Sequence, residues 1–209
     1  MPIPAEHTSR HAYHFCHLEN LENVLKHGLL SCNEQIRLKI KHLSVAEKSI
    51  QDRRATMPVT CNPNGVVHDY VPFYFCKRSS MLLSVVQRKN VDQQFLIYFV
   101  VPIQLVEQEG VVFTSASANT GIAPEFFYDP SDLSKLDWKL IDSLKWKLTE
   151  SEKQARMAEL LVNKQVPLQA VKEIIVWNDS IGECVARAFK KAGKTPPPIR
   201  ADGHYYFNK

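Results

Sequence analysis

Apolar and polar positions along the chain follow two rhythms. "AYHFCHL", Ala12 to Leu18, is a short, mostly apolar run and reads as a buried strand. Leu21, Val24 and Leu25 then recur at helical spacing, with Asn20 a candidate N-cap and Gly28 the glycine that ends the helix. Leu38 to Val59 is polar and helical in tendency but has no strong apolar face, which predicts a long excursion over the surface. Val71 to Cys76 reads as a second strand, followed by a helix that starts at Ser79 or Ser80. Gln94 to Ile103 is nearly all apolar, β-branched and aromatic, and predicts a strand buried on both faces. "GVVFTSASA" predicts another strand that ends in small polar residues. Val171 to Asn178 is a strand, and "IGECVARAFKKAGK" is an amphipathic helix with Val185 and Phe189 inward. The C-terminal "TPPPIRADGHYYFN" is extended, and its aromatics predict a last edge strand.

Two stretches lack a clear rhythm. Asn119 to Leu148 is irregular, with Gly121, Pro124 and Pro130 among Phe126, Phe127, Tyr128, Trp138 and Trp146. Long, aromatic-bearing connections of this kind are usually functional or disordered. Glu150 to Lys164 has two readings. Ser151 with Gln154 resembles a capping box, and Ala155, Ala158 and Val162 make a helical stripe; alternatively "ELLV" is a short strand. Short strands mixed with short helices, without a regular βαβα alternation, predict an α+β class, taken as one domain over residues 1–209.

Composition narrows the function classes only slightly. The chain has 209 residues, with 26 basic and 22 acidic side chains and a formal charge of +4. That balance permits nucleic-acid binding without implying it. The five cysteines are scattered, with no C-x-x-C pair, so neither a disulfide framework nor a metal site is expected. Cys16 and Cys76 lie in apolar strand-like runs and read as small core residues. No window approaches eighteen uninterrupted apolar residues, and the N-terminus lacks a basic-then-apolar leader, so the expected location is cytoplasmic, away from any membrane. Neither G-x-G-x-x-G nor G-x-x-x-x-G-K-[ST] occurs, so a nucleotide would be held by some other cradle.

Taken singly, the candidate residues have ordinary explanations. His14 and His17, on a strand, point to opposite faces and do not readily share a metal. Arg53 and Arg54 beside Asp52 make either a solvated patch or an anion clamp, since a guanidinium is planar and always charged. His68, Asp69 and Tyr70 precede the strand that carries Phe73 and Phe75. Glu159, read locally, is a helix residue that pairs with Arg156.

In combination they say more. "YHFCHLENLENVLKHGLLS", "IQDRRATMPV", "HDYVPFYFCKRSSML", "FTSASA", "LDWKLI", "RMAELLVNKQVP" and "EIIVWN" follow one another in that order. From Tyr13 to Asn178 this resembles the DNA ADP-ribosyltransferase toxins of the DarT family, in particular the thymine-modifying branch. The resemblance implies a split, mostly antiparallel β core with short peripheral helices and an NAD cleft between its halves. It implies transfer of ADP-ribose from NAD, as substrate, to N3 of a thymine in single-stranded DNA, with a short sequence preference and no metal. It also implies a partner: a DarG-type macrodomain antitoxin that removes the modification and binds the toxin.

Residue by residue, His14, Phe15 and Cys16 match the family's NAD-binding triplet, where threonine often stands in place of Cys16. Asn23 and Ser31 match further NAD-contact positions. Arg54, with Arg53 as its neighbour, matches the essential arginine, and Glu159 matches the catalytic glutamate. The segment from Asn119 to Ala158 corresponds to a substrate-recognition loop. His68, Tyr70 and Met81 fall on the DNA side, with Lys77, Arg78, Lys145, Arg156 and the loop aromatics as groove candidates. The carboxylate suits positive charge developing at the ribose carbon, provided "ELLV" is a strand edge facing the cleft. The family account has the arginine take the N3 proton. A guanidinium with a pKa above about 12 is a poor base, so stabilising the developing imidate or the NAD phosphates suits Arg54 better. The other readings are a transferase of this clade acting on RNA or protein, and a non-catalytic binding module.

Overall fold

The computed structural model describes residues 1–209 except 88–90, 120–122, 146, 208 and 209. Gly121 and Trp146, singled out above, lie outside the described residues.

Among the described residues the strands are β1 (His11–His17), β2 (Leu29–Leu30), β3 (Tyr70–Tyr74), β4 (Leu96–Pro102), β5 (Val111–Thr114), β6 (Phe126–Phe127), β7 (Glu159–Asn163), β8 (Gln165–Val166), β9 (Glu173–Val176) and β10 (Ile199–Ala201). Eight of them form one sheet, ordered β10-β9-β4-β1-β3-β7-β5-β6, while β2 and β8 pair separately. Every pairing in the large sheet is antiparallel except β10 with β9. The α-helices are α1 (Leu21–His27), α2 (Cys32–Arg37), α3 (Lys48–Thr56), α4 (Ser80–Gln87), α5 (Trp138–Ile141), α6 (Glu150–Arg156) and α7 (Asp179–Lys191). Helix α7 is the crossover between the two parallel strands, and it buries Ile181, Val185 and Phe189 at i, i+4 and i+8.

The sheet is split in its middle. β1 pairs with β4 over seven residues, but meets β3 only at Tyr13–Tyr74. β3 pairs with β7 along its whole length. The cause is local: Pro72 in β3 has no N–H to give a ladder, and its carbonyl is bonded by the His14 imidazole (Nδ1 to O 2.8 Å) instead of by a strand. The alternation of β3 then sorts its side chains. Val71 and Phe73 enter the main core, while Tyr70, Pro72 and Tyr74 turn to the cleft side. Burying one such phenylalanine contributes roughly 1.5–3 kcal/mol.

The sequence-based boundaries need several corrections. Leu38 to Val59 is largely exposed and ends in a helix, as expected, but it also turns residues inward: its last part is α3, which buries Arg54, and its first part walls a cavity. Asn119 to Leu148 contains β6, α5 and a 3-10 turn (Pro130–Lys135). Phe126, Phe127 and Trp138 are buried there, because Trp138 packs on Phe75 and His7 and the two phenylalanines pair with β5. The capping box of α6 is formed by Thr149 with Glu152, two residues before the Ser151–Gln154 pattern's implied start. Asn20 precedes α1 but makes no side-chain cap bond. At the C-terminus β10 is the edge strand, whereas Tyr205 and Tyr206 are core residues, Tyr206 donating its hydroxyl to the Leu96 carbonyl at 2.9 Å. Gly28 ends α1 at φ +74, and a Cβ there would lie 2.5 Å from the Val166 carbonyl oxygen.

Candidate active site

A cavity of about 210 Å³ opens at the split. Its walls come from β1 (His14, Phe15, Cys16), β3, α1, α2, α3 and the strap of residues 38–47. The strap has no regular structure and is clipped in place. Asn20 bonds both backbone groups of Leu43, donating to the carbonyl at 2.9 Å and accepting from the amide at 2.8 Å. Asn23 donates to the Lys41 carbonyl at 2.8 Å.

Helix α3 looks like a surface helix in sequence because the face it turns inward is largely polar. Ile50, Gln51 and Arg54 share that face and line the cavity. Arg54 is buried and Arg53 is exposed, which selects Arg54 as the inward arginine. Its guanidinium grips Glu159 with both nitrogens, Nη1 to Oε1 and Nη2 to Oε2, each at 3.0 Å. This is the fork-to-fork geometry of a strong charge-assisted pair. Glu159 itself is fully buried and also accepts from the Ala118 amide at 2.9 Å, with the Ser117 hydroxyl at 3.5 Å.

The "FTSASA" run explains that cradle. The Glu159 amide donates to Thr114 Oγ1 at 3.0 Å, and the same hydroxyl donates to the Ala116 carbonyl at 2.6 Å. Thr114 thereby folds the turn after β5 over the carboxylate. Burial works against the Arg54 charge, but the Glu159 carboxylate outweighs it and holds the guanidinium pKa above its ordinary value. Tyr74 lies opposite Glu159 in the β3–β7 register. Burial first, and the Glu159 charge second, push its phenol far above its ordinary range, so it is available as a donor.

Two histidines have fixed roles. His14 is held neutral, its pKa lowered by burial against the opposing Pro72 hydrogen bond and with help from Arg54. Because Pro72 offers only an acceptor, Nδ1 carries the proton, and Nε2 is left as an acceptor. His68 Nε2 pairs with Gln51 Oε1 at 3.0 Å, and burial lowers its pKa as well. Burial pushes the Cys16 thiol up to about 12, so it is a neutral wall residue.

The structure gathers His14, Phe15, Cys16, Asn23, Arg54, His68, Tyr70 and Met81 around one cavity. Other expectations are corrected. Glu159 does not pair with Arg156, and β7 is not an edge; Glu159 opens an interior strand and stands behind Arg54. Ser31 is buried off the cavity, its hydroxyl capping α2 through the Glu34 amide. Tyr70 is fully buried and spends its hydroxyl on the Asn64 carbonyl at 2.6 Å, which leaves no surface for a DNA contact. Arg156 is buried and holds the Lys145 carbonyl at 2.8 Å. Lys77 and Arg78 lie outside the cavity, over the rings of Tyr205 and Phe207. The sequence reading missed Gln51, Tyr74, Thr114 and the Ala118 amide. Tyr74 shares the period-two face of Tyr70, and Gln51 stands three residues before Arg54, so both were within reach. A backbone amide leaves no such trace.

Among the described residues no group of three or more His, Cys, Asp or Glu side chains is arranged to hold a metal ion, and no helix is long and apolar enough to cross a membrane. A split sheet, a cavity at the split and a buried carboxylate gripped by arginine define a transferase-type site built to stabilise developing charge. The family model described as "ssDNA thymidine ADP-ribosyltransferase, DarT" matches residues 13–207, so the chain belongs to the DarT family. It is an NAD-dependent DNA ADP-ribosyltransferase. A curated relative, the "DNA ADP-ribosyl transferase" of Thermus sp. (strain 2.9), is 32% identical over 200 residues, covering 92% of this chain and 95% of its own. The solved structure of Thermus sp. 2.9 DarT in complex with ADP-ribosylated ssDNA superposes with a TM-score of 0.87 at 32% identity, covering 99% of both chains. The same enzyme in complex with NAD+ gives a TM-score of 0.82 at 30% identity, over 99% of this chain and 100% of that one.

Proposed function

We propose that this protein transfers ADP-ribose from NAD to thymine N3 of single-stranded DNA and releases nicotinamide. One observation carries the reading: the buried Glu159 carboxylate, locked directly behind the Arg54 that lines the split-sheet cavity. NAD supplies the ADP-ribosyl group and the nicotinamide leaving group. The cavity chemistry fits it. His14 Nε2 offers an acceptor for a ribose hydroxyl, and the β3-facing edge of β1 offers free backbone groups for a carboxamide. Glu159 stabilises the positive charge that develops at the ribose carbon as the bond to nicotinamide breaks. Arg54 lines the cavity in front of it, so one arm of the fork must swing from the carboxylate toward the reacting groups. Tyr74 donates a hydrogen bond in the same region. Arg54 then stabilises the imidate left when N3 loses its proton to solvent.

The cavity is smaller than the roughly 300–1,000 Å³ of most small-molecule sites, so part of a dinucleotide would lie outside it, along the strap. Met81 in the wall and Tyr128, which is 64% exposed, are the apolar and stacking surfaces for the DNA strand. We further infer one domain over residues 1–209, action in the cytoplasm where its DNA is, and the toxin half of a pair with a DarG-type macrodomain antitoxin. Family membership supports these. The test is incubation with NAD and thymine-containing single-stranded DNA, followed by mass analysis. Gain of one ADP-ribosyl group, located on thymine N3 by fragmentation, is expected. Gain on RNA or protein alone would overturn the substrate assignment.

A further inference from the structure

Thr114 ends β5, and by the β5–β7 register it falls opposite Glu159. The ladder stops one pair earlier, at Phe113–Leu160, so the two residues meet through a side chain instead. The Glu159 amide donates to Thr114 Oγ1 at 3.0 Å. The hydroxyl has a single hydrogen and gives it to the Ala116 carbonyl at 2.6 Å, the Glu159 carbonyl at 3.5 Å being the farther acceptor. One oxygen therefore ties the backbone of Glu159 to the turn that follows β5. Thr114 is fully buried and takes no part in the cavity wall.

That turn comes back onto the carboxylate. Ser117 is anchored by its amide to the Gln154 carbonyl at 3.0 Å. The next peptide touches both members of the ion pair: the Ala118 amide donates to Glu159 Oε1 at 2.9 Å, and the Ala118 carbonyl faces Arg54 Nη1 at 3.5 Å. The short contacts of the carboxylate are thus the two arms of Arg54 and the Ala118 amide. When one arm of the fork leaves for the reacting groups, the amide is the contact that keeps the carboxylate aimed. Misplacing such a group by about 1 Å from a remote site can cost on the order of 10²-fold in rate. We propose that Thr114 is a positioning residue for the reaction: without touching NAD or DNA, its hydroxyl holds the Ala118 amide on Glu159 and so sets the turnover rate. This role rests on the reading of Glu159 proposed above.

The test separates the hydroxyl from the shape of the side chain. Thr114→Val keeps the shape and lacks the oxygen, while Thr114→Ser keeps the oxygen and drops the methyl group. Rates of single-stranded DNA modification are measured against NAD concentration, below the melting midpoint of each protein. Thr114→Val should lose about 10–100-fold in kcat, with KM for NAD within about twofold of wild type, because the residue touches no ligand. Thr114→Ser should stay within about threefold of wild type in kcat, since its hydroxyl makes the same two bonds. Wild-type kcat in Thr114→Val overturns the proposal, as does a loss carried by KM. A serine variant that falls as far as the valine variant also overturns it, because packing of the methyl group would then be the whole effect. If Thr114→Val does not fold, Thr114→Cys takes its place; a thiol is a weak donor and acceptor, so its kcat should fall at least about fivefold below that of Thr114→Ser, and equal rates overturn the proposal. Glu159→Gln with wild-type turnover would instead contradict the role given to Glu159, which keeps the two failures distinct.

Discussion

Replacing Glu159 by glutamine keeps the side-chain shape and removes its charge. Arg54 stays buried, its side chain only 7% exposed, and loses its counter-ion. The glutamine oxygen still accepts one arm of the fork, but the amide NH2 now meets the other arm donor to donor. Removing one partner of a buried ion pair typically costs about 3–5 kcal/mol, because the remaining charge is left uncompensated. For a chain of this size each kcal/mol moves Tm by about 2–4 °C, so Glu159→Gln should melt roughly 6–20 °C below wild type. Arg54→Met should destabilise similarly, by stranding the carboxylate. The double variant Arg54→Met/Glu159→Gln holds neither charge and should regain much of the loss, since an apolar or neutral replacement of a buried pair is often near neutral. Thermal unfolding followed by circular dichroism reads all four proteins. ADP-ribosylation of single-stranded DNA, read by mass, should fall by on the order of 10²–10³ or more in Glu159→Gln. If both single variants melt within about 2 °C of wild type, the pair is not the desolvated lock described here, and the argument fails.

Other expectations follow from neighbouring parts of the site. Burial lowers the His14 pKa, so the unfolded chain binds the extra proton more readily; stability should be full above about pH 6.5 and decline as pH falls below it. His14→Gln should flatten part of that slope in urea titrations, with His7, His42 and His68, also lowered by burial, keeping the rest; an unchanged slope would mean that His14 does not titrate this way. Asn20→Ala removes both bonds to Leu43 and should raise KM for NAD several-fold while kcat stays within about twofold, each lost bond being worth about 0.5–1.5 kcal/mol. An unaltered KM would show that the strap does not help to hold the dinucleotide. Gly28→Ala should destabilise by about 1–3 kcal/mol from backbone conformation alone, before the contact with the Val166 carbonyl is counted, and a melting temperature equal to wild type would contradict the turn geometry.

Strands with strong apolar character were legible in the sequence because burial alone dictates them. β4 and the α7 face formed by Val185 and Phe189 are examples. Glu159 at the start of a strand was also legible, once the helix before it was allowed to end. The helical tendency of α3 was legible but its inward packing was not, because its inward face is polar and hydrophobic patterning is blind to a helix that packs on a binding site. The exposed course of the strap was legible but its place over the cavity was not, since its anchors are asparagine amides bonding backbone. Tyr70 and Arg156 were misplaced because residue type shows that a side chain has a polar end, and only the fold shows where that end is spent.

The single-pair contact between β1 and β3 has a consequence for the sheet as a whole. Beyond Tyr13, the edge of β1 that faces β3 pairs with no strand among the described residues, so the eight-stranded sheet is interrupted at its centre. On the reading proposed here, the carboxamide of the incoming dinucleotide is peptide-like and stands in for the absent strand residues. The substrate is then a temporary structural member, bridging two halves that share an apolar core but whose strands are otherwise paired at one residue pair, with one histidine bond beside it. Amide hydrogens along that edge should exchange freely in the empty enzyme and slow when the dinucleotide binds, so that turnover also dissolves and rebuilds the middle of the sheet.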